Sequence, residues 1–126
     1  MPQVLPEIDF RLIRPYGGKQ TDGFEELSVQ LFCTETSGKG EYFRIEGSGG
    51  DGGVEAYRVA PDGKKIGFQS KYFSVLGASQ WRQINESVRT ALSNHPTLST
   101  YFIATPLNRT PTQVTKWENL KKAWIK

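Results

Sequence analysis

The sequence Pro61-Asp62-Gly63-Lys64 separates two strand-like segments, and this arrangement restricts the fold more than any other feature of the chain. Proline in the first position and glycine in the third are typical of a tight turn. The flanking segments, residues 54–59 and 65–73, contain the β-branched and aromatic residues that strands favour. We therefore predict that these two segments form an antiparallel β-hairpin.

A helix is predicted before the hairpin, because apolar residues recur there at helical spacing. Asp22 stands where its side chain could cap the first turn, and Glu25 follows three residues later, as in a capping box. The helix should end near Gly38, since glycine readily adopts the left-handed conformation that closes a helix. The apolar stripe comprises Phe24, Leu27, Ser28 and Leu31, with Phe32 beside them.

The remaining elements follow from the same signals. We predict a strand over residues 41–46, a helix that begins after Gly77 and stops at Asn94, and a strand over 100–104. A last helix should begin at Thr110-Pro111-Thr112-Gln113, which has a capping-box sequence with proline in the first helical position. The apolar faces of these two helices comprise Trp81, Ile84, Val88, Ala91 and Leu92, and then Trp117, Leu120 and Trp124.

The predicted order of elements is therefore α-β-β-β-α-β-α. A helix separates the hairpin from the last strand, so that strand returns by a crossover and the sheet is mixed. We predict one domain of the α/β (α+β) class over residues 21–126, with a central mixed sheet flanked by helices. Residues 1–20 contain three prolines and should form an irregular arm.

Composition excludes several classes of function. The net charge of +3 in 126 residues permits nucleic-acid binding without demanding it. Cys33 is the single cysteine, which excludes an internal disulfide and a cysteine pair for zinc. His95 is the single histidine, which argues against histidine-based catalysis. With no signal-peptide pattern and no apolar run long enough to span a membrane, we expect a cytoplasmic protein.

The hairpin carries the residues that could take part in a chemical reaction. Gln69 and Lys71 should share one face of their strand, with Ser70 on the other. The turn can bring Glu55 opposite them, beside the glycine-rich segment 47–53. A carboxylate and a second oxygen ligand can hold Mg²⁺, which polarises a phosphate and activates water, while a lysine stabilises the developing negative charge. This combination indicates a phosphodiesterase.

Two segments carry a resemblance to a known family. Gly50-Asp51-Gly52-Gly53-Val54-Glu55, followed by Gln69-Ser70-Lys71, resembles the split motif of Mrr-type nucleases, a branch of the PD-(D/E)xK restriction-endonuclease family. Phe24-Glu25 resembles part of the first helix of that family, which contributes a further glutamate. The resemblance covers residues 22 to about 105 and implies a restriction-endonuclease-like α-β-β-β-α-β core.

The resemblance also implies roles for individual residues. Glu55 and Gln69 become ligands of Mg²⁺, or of Mn²⁺, and Lys71 becomes the catalytic lysine. Glu25 becomes an outer acid that completes the metal site, and Asp51 shapes the glycine-rich loop or supports the metal. The implied activity is endonucleolytic hydrolysis of double-stranded DNA. The chain would then be the effector module of a longer restriction or anti-phage defence protein, with a fused sensor or ATPase region, acting as a dimer or higher oligomer.

The sequence departs from the family pattern at two positions, and simpler interpretations exist for each residue. Glu55 stands where aspartate is usual, and Gln69 replaces the more widespread glutamate, which removes one negative charge from the metal site. Glu25 could be only the partner in a capping box, Asp51 only a turn residue, and Lys71 only part of a solvated strand face. An inactive module for DNA binding or assembly and a junction resolvase therefore stay open as alternatives.

Overall fold

A computed structural model describes residues 9–45 and 53–124 of the chain. It contains three α-helices and four strands in the predicted order α-β-β-β-α-β-α, after a short 3-10 helix at Phe10–Leu12. The elements are α1 (Gln20–Glu35), β1 (Glu41–Arg44), β2 (Ala56–Val59), β3 (Lys65–Ser70), α2 (Ala78–Asn94), β4 (Leu98–Ala104) and α3 (Pro111–Trp124).

The four strands form one mixed sheet in the order β1-β2-β3-β4. The pairs β1–β2 and β2–β3 are antiparallel, whereas β3–β4 is parallel because α2 provides the crossover between them. The predicted turn joins β2 to β3: the amide of Ala60 donates to Lys64 O at 2.9 Å, and Gly63 has a φ of +87°. The predicted hairpin and the α+β class with a mixed sheet are confirmed.

The sheet separates two apolar clusters. On one face α1 packs against β2 and β3, with the rings of Phe32 and Phe68 stacked at a centroid distance of 5.1 Å. On the other face α2 and α3 pack against β4, and Trp124 Nε1 donates to Asn85 Oδ1 at 2.8 Å. The first cluster comprises Val29, Phe32, Ala56 and Phe68, and the second is built on Trp81, Ile84 and Val88.

The predicted start of α1 is wrong. The helix begins at Gln20 with Lys19 as the N-cap residue, and no side chain caps it, so Asp22 lies within the first turn and forms no capping box with Glu25. The reason is the arm: a backbone bridge pairs Tyr16 with Lys19, and Nε2 of the Gln20 side chain donates to Arg11 O at 2.8 Å. These contacts, which helical periodicity does not encode, set the first residue of the helix.

Several predicted boundaries and one apolar stripe also need correction. The last strand begins at Leu98 rather than residue 100, and the hairpin strands span 56–59 and 65–70 rather than 54–59 and 65–73. The amide of Phe73 donates to Lys71 O at 2.9 Å, and this turn ends β3 early. On α1, Leu27 and Leu31 are 42% and 57% exposed, because the helix rests on Phe24, Val29 and Phe32 instead.

The arm and the last helix show how the ends of the described chain attach. Phe10 packs edge-on against Phe24 at a centroid distance of 5.7 Å, and Tyr72 Oη donates to Phe10 O at 2.6 Å.

At α3 the predicted capping box is confirmed, since the Thr110 amide donates to Gln113 Oε1 at 2.9 Å and the Gln113 amide donates to Thr110 Oγ1 at 3.3 Å.

Arg58 on β2 joins the sheet to the C-terminal end of α1. Its side chain is 9% exposed, and it donates to Thr36 Oγ1 at 2.7 Å, Cys33 O at 2.9 Å and Gly40 O at 2.8 Å. Carbonyl groups at the end of a helix lack partners within the helix and carry partial negative charge. The buried guanidinium is therefore compensated by oxygen acceptors and by the helix dipole.

Within residues 9–45 and 53–124, no helix combines the length and the apolar character that crossing a membrane would need.

Candidate active site at the end of the hairpin

Glu55 lies one residue before β2, where the hairpin ladder continues past the strand. Its amide donates to Phe68 O at 2.8 Å, and its carbonyl accepts from the Ile45 amide at 2.8 Å. Because Ala56 is paired with Phe68, this continuation sets Glu55 opposite Gln69. The backbone of the hairpin therefore brings the acid beside the Gln69-Ser70-Lys71 segment.

The Glu55 carboxylate contacts both neighbours on β3. Its Oε2 accepts one hydrogen bond from the Ser70 amide and one from Ser70 Oγ, each at 2.9 Å. Its Oε1 accepts a longer bond, 3.2 Å, from Gln69 Nε2. The two carboxylate oxygens are thus unequal: Oε2 has two close donors, and Oε1 has one distant donor.

The side-chain oxygen of Gln69 is a buried acceptor without a hydrogen-bond partner among the described residues. The residue is 8% exposed, and its Nε2 donates toward Glu55, which fixes the orientation of the amide. Rotating the amide by 180° would direct its oxygen at the carboxylate, so the orientation is physically determined. Burying an unsatisfied acceptor costs about 1–3 kcal/mol, and a bound water or ion is among the partners that can satisfy it.

Electrostatics couples Lys71 to Glu55. Burial raises the pKa of Glu55, while the hydrogen bonds from Ser70 and the charges of Lys71 and Arg44 act in the opposite direction. Burial lowers the pKa of Lys71, and the charges of Glu55 and of Glu86 on α2 oppose that shift. Partly desolvated groups of opposite charge near one another are common at catalytic sites.

Glu25 approaches the same cluster from α1. Its pKa is raised first by burial and next by the negative charge of Glu55. Its neighbour Glu26 forms an ion pair with Arg44, with Oε2 and Nη1 2.7 Å apart. The hairpin thus places Glu55 and Gln69 in contact, and the charge of Glu55 acts on the pKa values of Glu25 on α1 and of Lys71 after β3.

Gly53, the residue of the glycine-rich segment 47–53 that the structure describes, packs closely against α2. Gly53 has a φ of +82°, and a Cβ atom there would lie 2.7 Å from Ser87 O, so only glycine fits without strain. Tyr101 Oη donates to Gly53 O at 2.5 Å and fixes the backbone that leads to Glu55. Asp51, the fifth predicted site residue, lies outside the described residues.

The residues present fit a hard divalent cation of modest affinity. Among the residues that the structure describes, no group of three or more His, Cys, Asp or Glu side chains could hold a metal ion. Mg²⁺, however, needs few protein ligands, because it retains several waters and prefers oxygen. Glu55 Oε1 and the unpartnered Gln69 Oε1 are two such oxygens, and Glu25 could act through a water.

Sequence reasoning missed the role of Ser70. Strict alternation placed its side chain on the face opposite Gln69, away from the acid. In the structure Glu55 precedes the regular part of β2, at the end of the ladder, where one carboxylate reaches both Gln69 and Ser70. No pattern in the sequence signals this, because it depends on where pairing becomes irregular.

Comparison with known proteins yields no family for this chain: no family model matches it, and no curated protein matches it. The resemblance to Mrr-type nucleases therefore stays a prediction from sequence motifs, and function must be argued from the site itself.

Proposed function

We propose that this chain is a metal-dependent endonuclease that hydrolyses DNA phosphodiester bonds, with a restriction-endonuclease-like fold of the Mrr-like branch. One observation carries the proposal: Gln69, whose Nε2 donates to the Glu55 carboxylate at 3.2 Å, has a buried side-chain oxygen without a partner among the described residues, and Lys71 follows two residues later. A carboxylate, an amide oxygen and an ammonium group are what such a reaction requires.

Each residue has a defined part in the proposed reaction. Glu55 and Gln69 hold the cation, Mg²⁺ or Mn²⁺, through their Oε1 atoms, and Glu25 supports the site from α1 as an outer acid. A bound divalent cation would polarise the phosphate and lower the pKa of an attacking water. Lys71 binds a non-bridging phosphate oxygen and stabilises the charge that develops there. Asp51 is proposed to support the loop or the metal.

The proposed setting follows the resemblance. The domain would act in the cytoplasm as the nuclease effector of a restriction or anti-phage defence protein, joined to a sensor or ATPase region. Its substrate would be double-stranded DNA. Because cutting both strands needs two active sites, we propose a dimer or a higher homo-oligomer.

A catalytically inactive module is the second candidate, and one observation favours it. Among the described residues, Gln69 and Ser70 already supply three hydrogen bonds to the Glu55 carboxylate. A carboxylate that is satisfied without an ion gains less from binding one. Such a domain would keep the fold for DNA binding or assembly and would cut nothing.

A plasmid-nicking assay separates these candidates. The purified protein is expected to nick or linearise supercoiled plasmid with Mg²⁺ or Mn²⁺, because a bound ion would polarise the phosphate and activate the attacking water. Cutting should stop when EDTA removes the ion. Failure to cut with either ion would support the inactive module. Faster cutting of a four-way junction than of linear duplex would favour a resolvase, and cutting that persists in EDTA would contradict a metal-dependent mechanism.

Replacing Gln69 by glutamate tests the proposed ligand pair. The substitution removes the donor to Glu55 Oε1 and sets a second carboxylate beside the first, so the metal-free protein should unfold at a lower temperature. An added ligand charge should strengthen Mn²⁺ binding by about tenfold. Thermal unfolding with and without Mn²⁺ measures both effects.

Gln83→Glu is the matched control for Gln69→Glu, because it adds the same charge at an exposed position on α2. It should leave both the unfolding temperature and its response to Mn²⁺ nearly unchanged. Equal stabilisation of the Gln69→Glu and Gln83→Glu proteins by Mn²⁺ would contradict the assignment of Gln69 as a ligand.

A further inference from the structure

Ser70 holds one oxygen of the Glu55 carboxylate from two directions. The backbone amide and the hydroxyl of the same residue both donate to Oε2, each at 2.9 Å. Two donors on one oxygen fix the rotation of the carboxylate about its last carbon–carbon bond. Oε1 must then point away from Ser70, toward the amide of Gln69.

We propose that Ser70 is a positioning residue for a divalent cation: its hydroxyl restrains Oε2 so that Oε1 stays turned toward Gln69, the residue whose other amide atom is the unpartnered oxygen. This inference rests on the proposed metal site and deepens it. The carboxylate would bind the ion through one oxygen, because the other is occupied by Ser70. Oε2 would keep both of its bonds from Ser70, and only the longer 3.2 Å bond from Gln69 Nε2 to Oε1 would have to adjust when the ion binds.

The hydroxyl has a role that the backbone amide cannot fill alone. A single hydrogen bond leaves the carboxylate free to turn about the donor–acceptor direction, whereas a second donor at an angle removes that freedom. Partners that orient a metal ligand in this way typically change metal affinity by about 10–100-fold when they are removed. Ser70 is only half-buried, so loss of its hydroxyl leaves no large cavity.

The test compares Ser70→Ala with Ser70→Thr in the full chain. Ser70→Ala should weaken Mn²⁺ binding by about tenfold, and Ser70→Thr, which keeps a hydroxyl, should restore it to within about threefold of the unmodified protein. Free Mn²⁺ measured by electron paramagnetic resonance gives the dissociation constant without any DNA. Ser74→Ala is the matched control, because Ser74 is exposed in the loop after β3.

The outcomes separate this inference from the proposed nuclease activity. If Ser70→Ala binds Mn²⁺ as tightly as the unmodified protein, or if folded Ser70→Thr binds as weakly as Ser70→Ala, the positioning role is wrong and the nuclease proposal survives. If the protein binds Mn²⁺ with the expected order of affinities but never cuts DNA, the positioning role stands and the nuclease proposal fails. If the unmodified protein binds no Mn²⁺, both are wrong.

Discussion

Replacing Lys71 with alanine is expected to lower the rate of DNA cleavage by roughly 100- to 1000-fold, the typical cost of losing one preorganised group that stabilises the transition state. Lys71 is half-buried, and the charge of Glu55 opposes the lowering of its pKa by burial. In the proposed mechanism its ammonium group binds the phosphate next to the ion. Water would replace that charge poorly, because solvent dipoles must reorient as negative charge develops on the phosphate, whereas a fixed ammonium group is already in place. The initial rate of nicking of supercoiled plasmid measures the effect.

Three comparisons make the Lys71 prediction specific. Lys64→Ala removes the same charge from an exposed position in the hairpin turn and should leave the rate unchanged. Lys71→Arg keeps the charge but alters its geometry, and should restore only part of the rate. DNA binding measured with Ca²⁺ should survive in Lys71→Ala. Undiminished cutting by Lys71→Ala would reject the active site proposed here.

Replacing Arg58 with alanine is expected to destabilise the protein by about 3 kcal/mol, which lowers the unfolding temperature by roughly 10 °C in a domain of this size. The substitution removes the guanidinium that donates hydrogen bonds to Thr36 Oγ1, Gly40 O and Cys33 O, so these three acceptors lose their donor. It also removes a cation from the C-terminal end of α1, where the helix dipole favours positive charge. Urea unfolding followed by circular dichroism measures the loss.

Two controls accompany the Arg58 prediction. Arg89→Ala removes an exposed arginine from α2 and should change the free energy of unfolding by less than about 0.5 kcal/mol. Arg58→Lys keeps the charge, but an ammonium group cannot reach all three acceptors as the planar guanidinium does. The stability of Arg58→Lys should therefore fall between those of Arg58→Ala and Arg89→Ala. Loss of less than about 1 kcal/mol in Arg58→Ala would show that solvent or repacking satisfies these acceptors.

The elements of this fold follow from local signals in the sequence, whereas their ends do not. The turn at Pro61-Asp62-Gly63-Lys64 and the capping box at Thr110 each depend on a few adjacent residues, and both form as predicted. The start of α1 depends on the bridge between Tyr16 and Lys19, and the end of β3 on a turn at Lys71. Such contacts compete with periodicity and move a boundary by two or three residues.

The residues of the candidate site were predicted from the sequence, but the hydrogen bonds between them were not. Hairpin pairing alone brings Glu55 opposite Gln69, and the sequence contains that information. Alternation alone did not predict that the Glu55 carboxylate reaches Ser70, because it assumes a regular strand through Glu55. Neither Lys71 nor Arg58 stands out by residue type alone. Lys71 was singled out because it lies in the predicted hairpin, next to Gln69, whereas no sequence pattern singled out Arg58. The three acceptors of Arg58 become neighbours only when α1 packs on the sheet.

The parallel return of β4 has a consequence for the order in which contacts form as the domain folds. The bonds from Gln69 and Ser70 to Glu55 span 14 and 15 residues, whereas the bond from Tyr101 to Gly53 spans 48. Contacts between nearby residues form faster than distant ones, because closing a shorter loop loses less entropy. We therefore expect the acid and the amide to meet early in folding, and the contact of β4 with their backbone to form later.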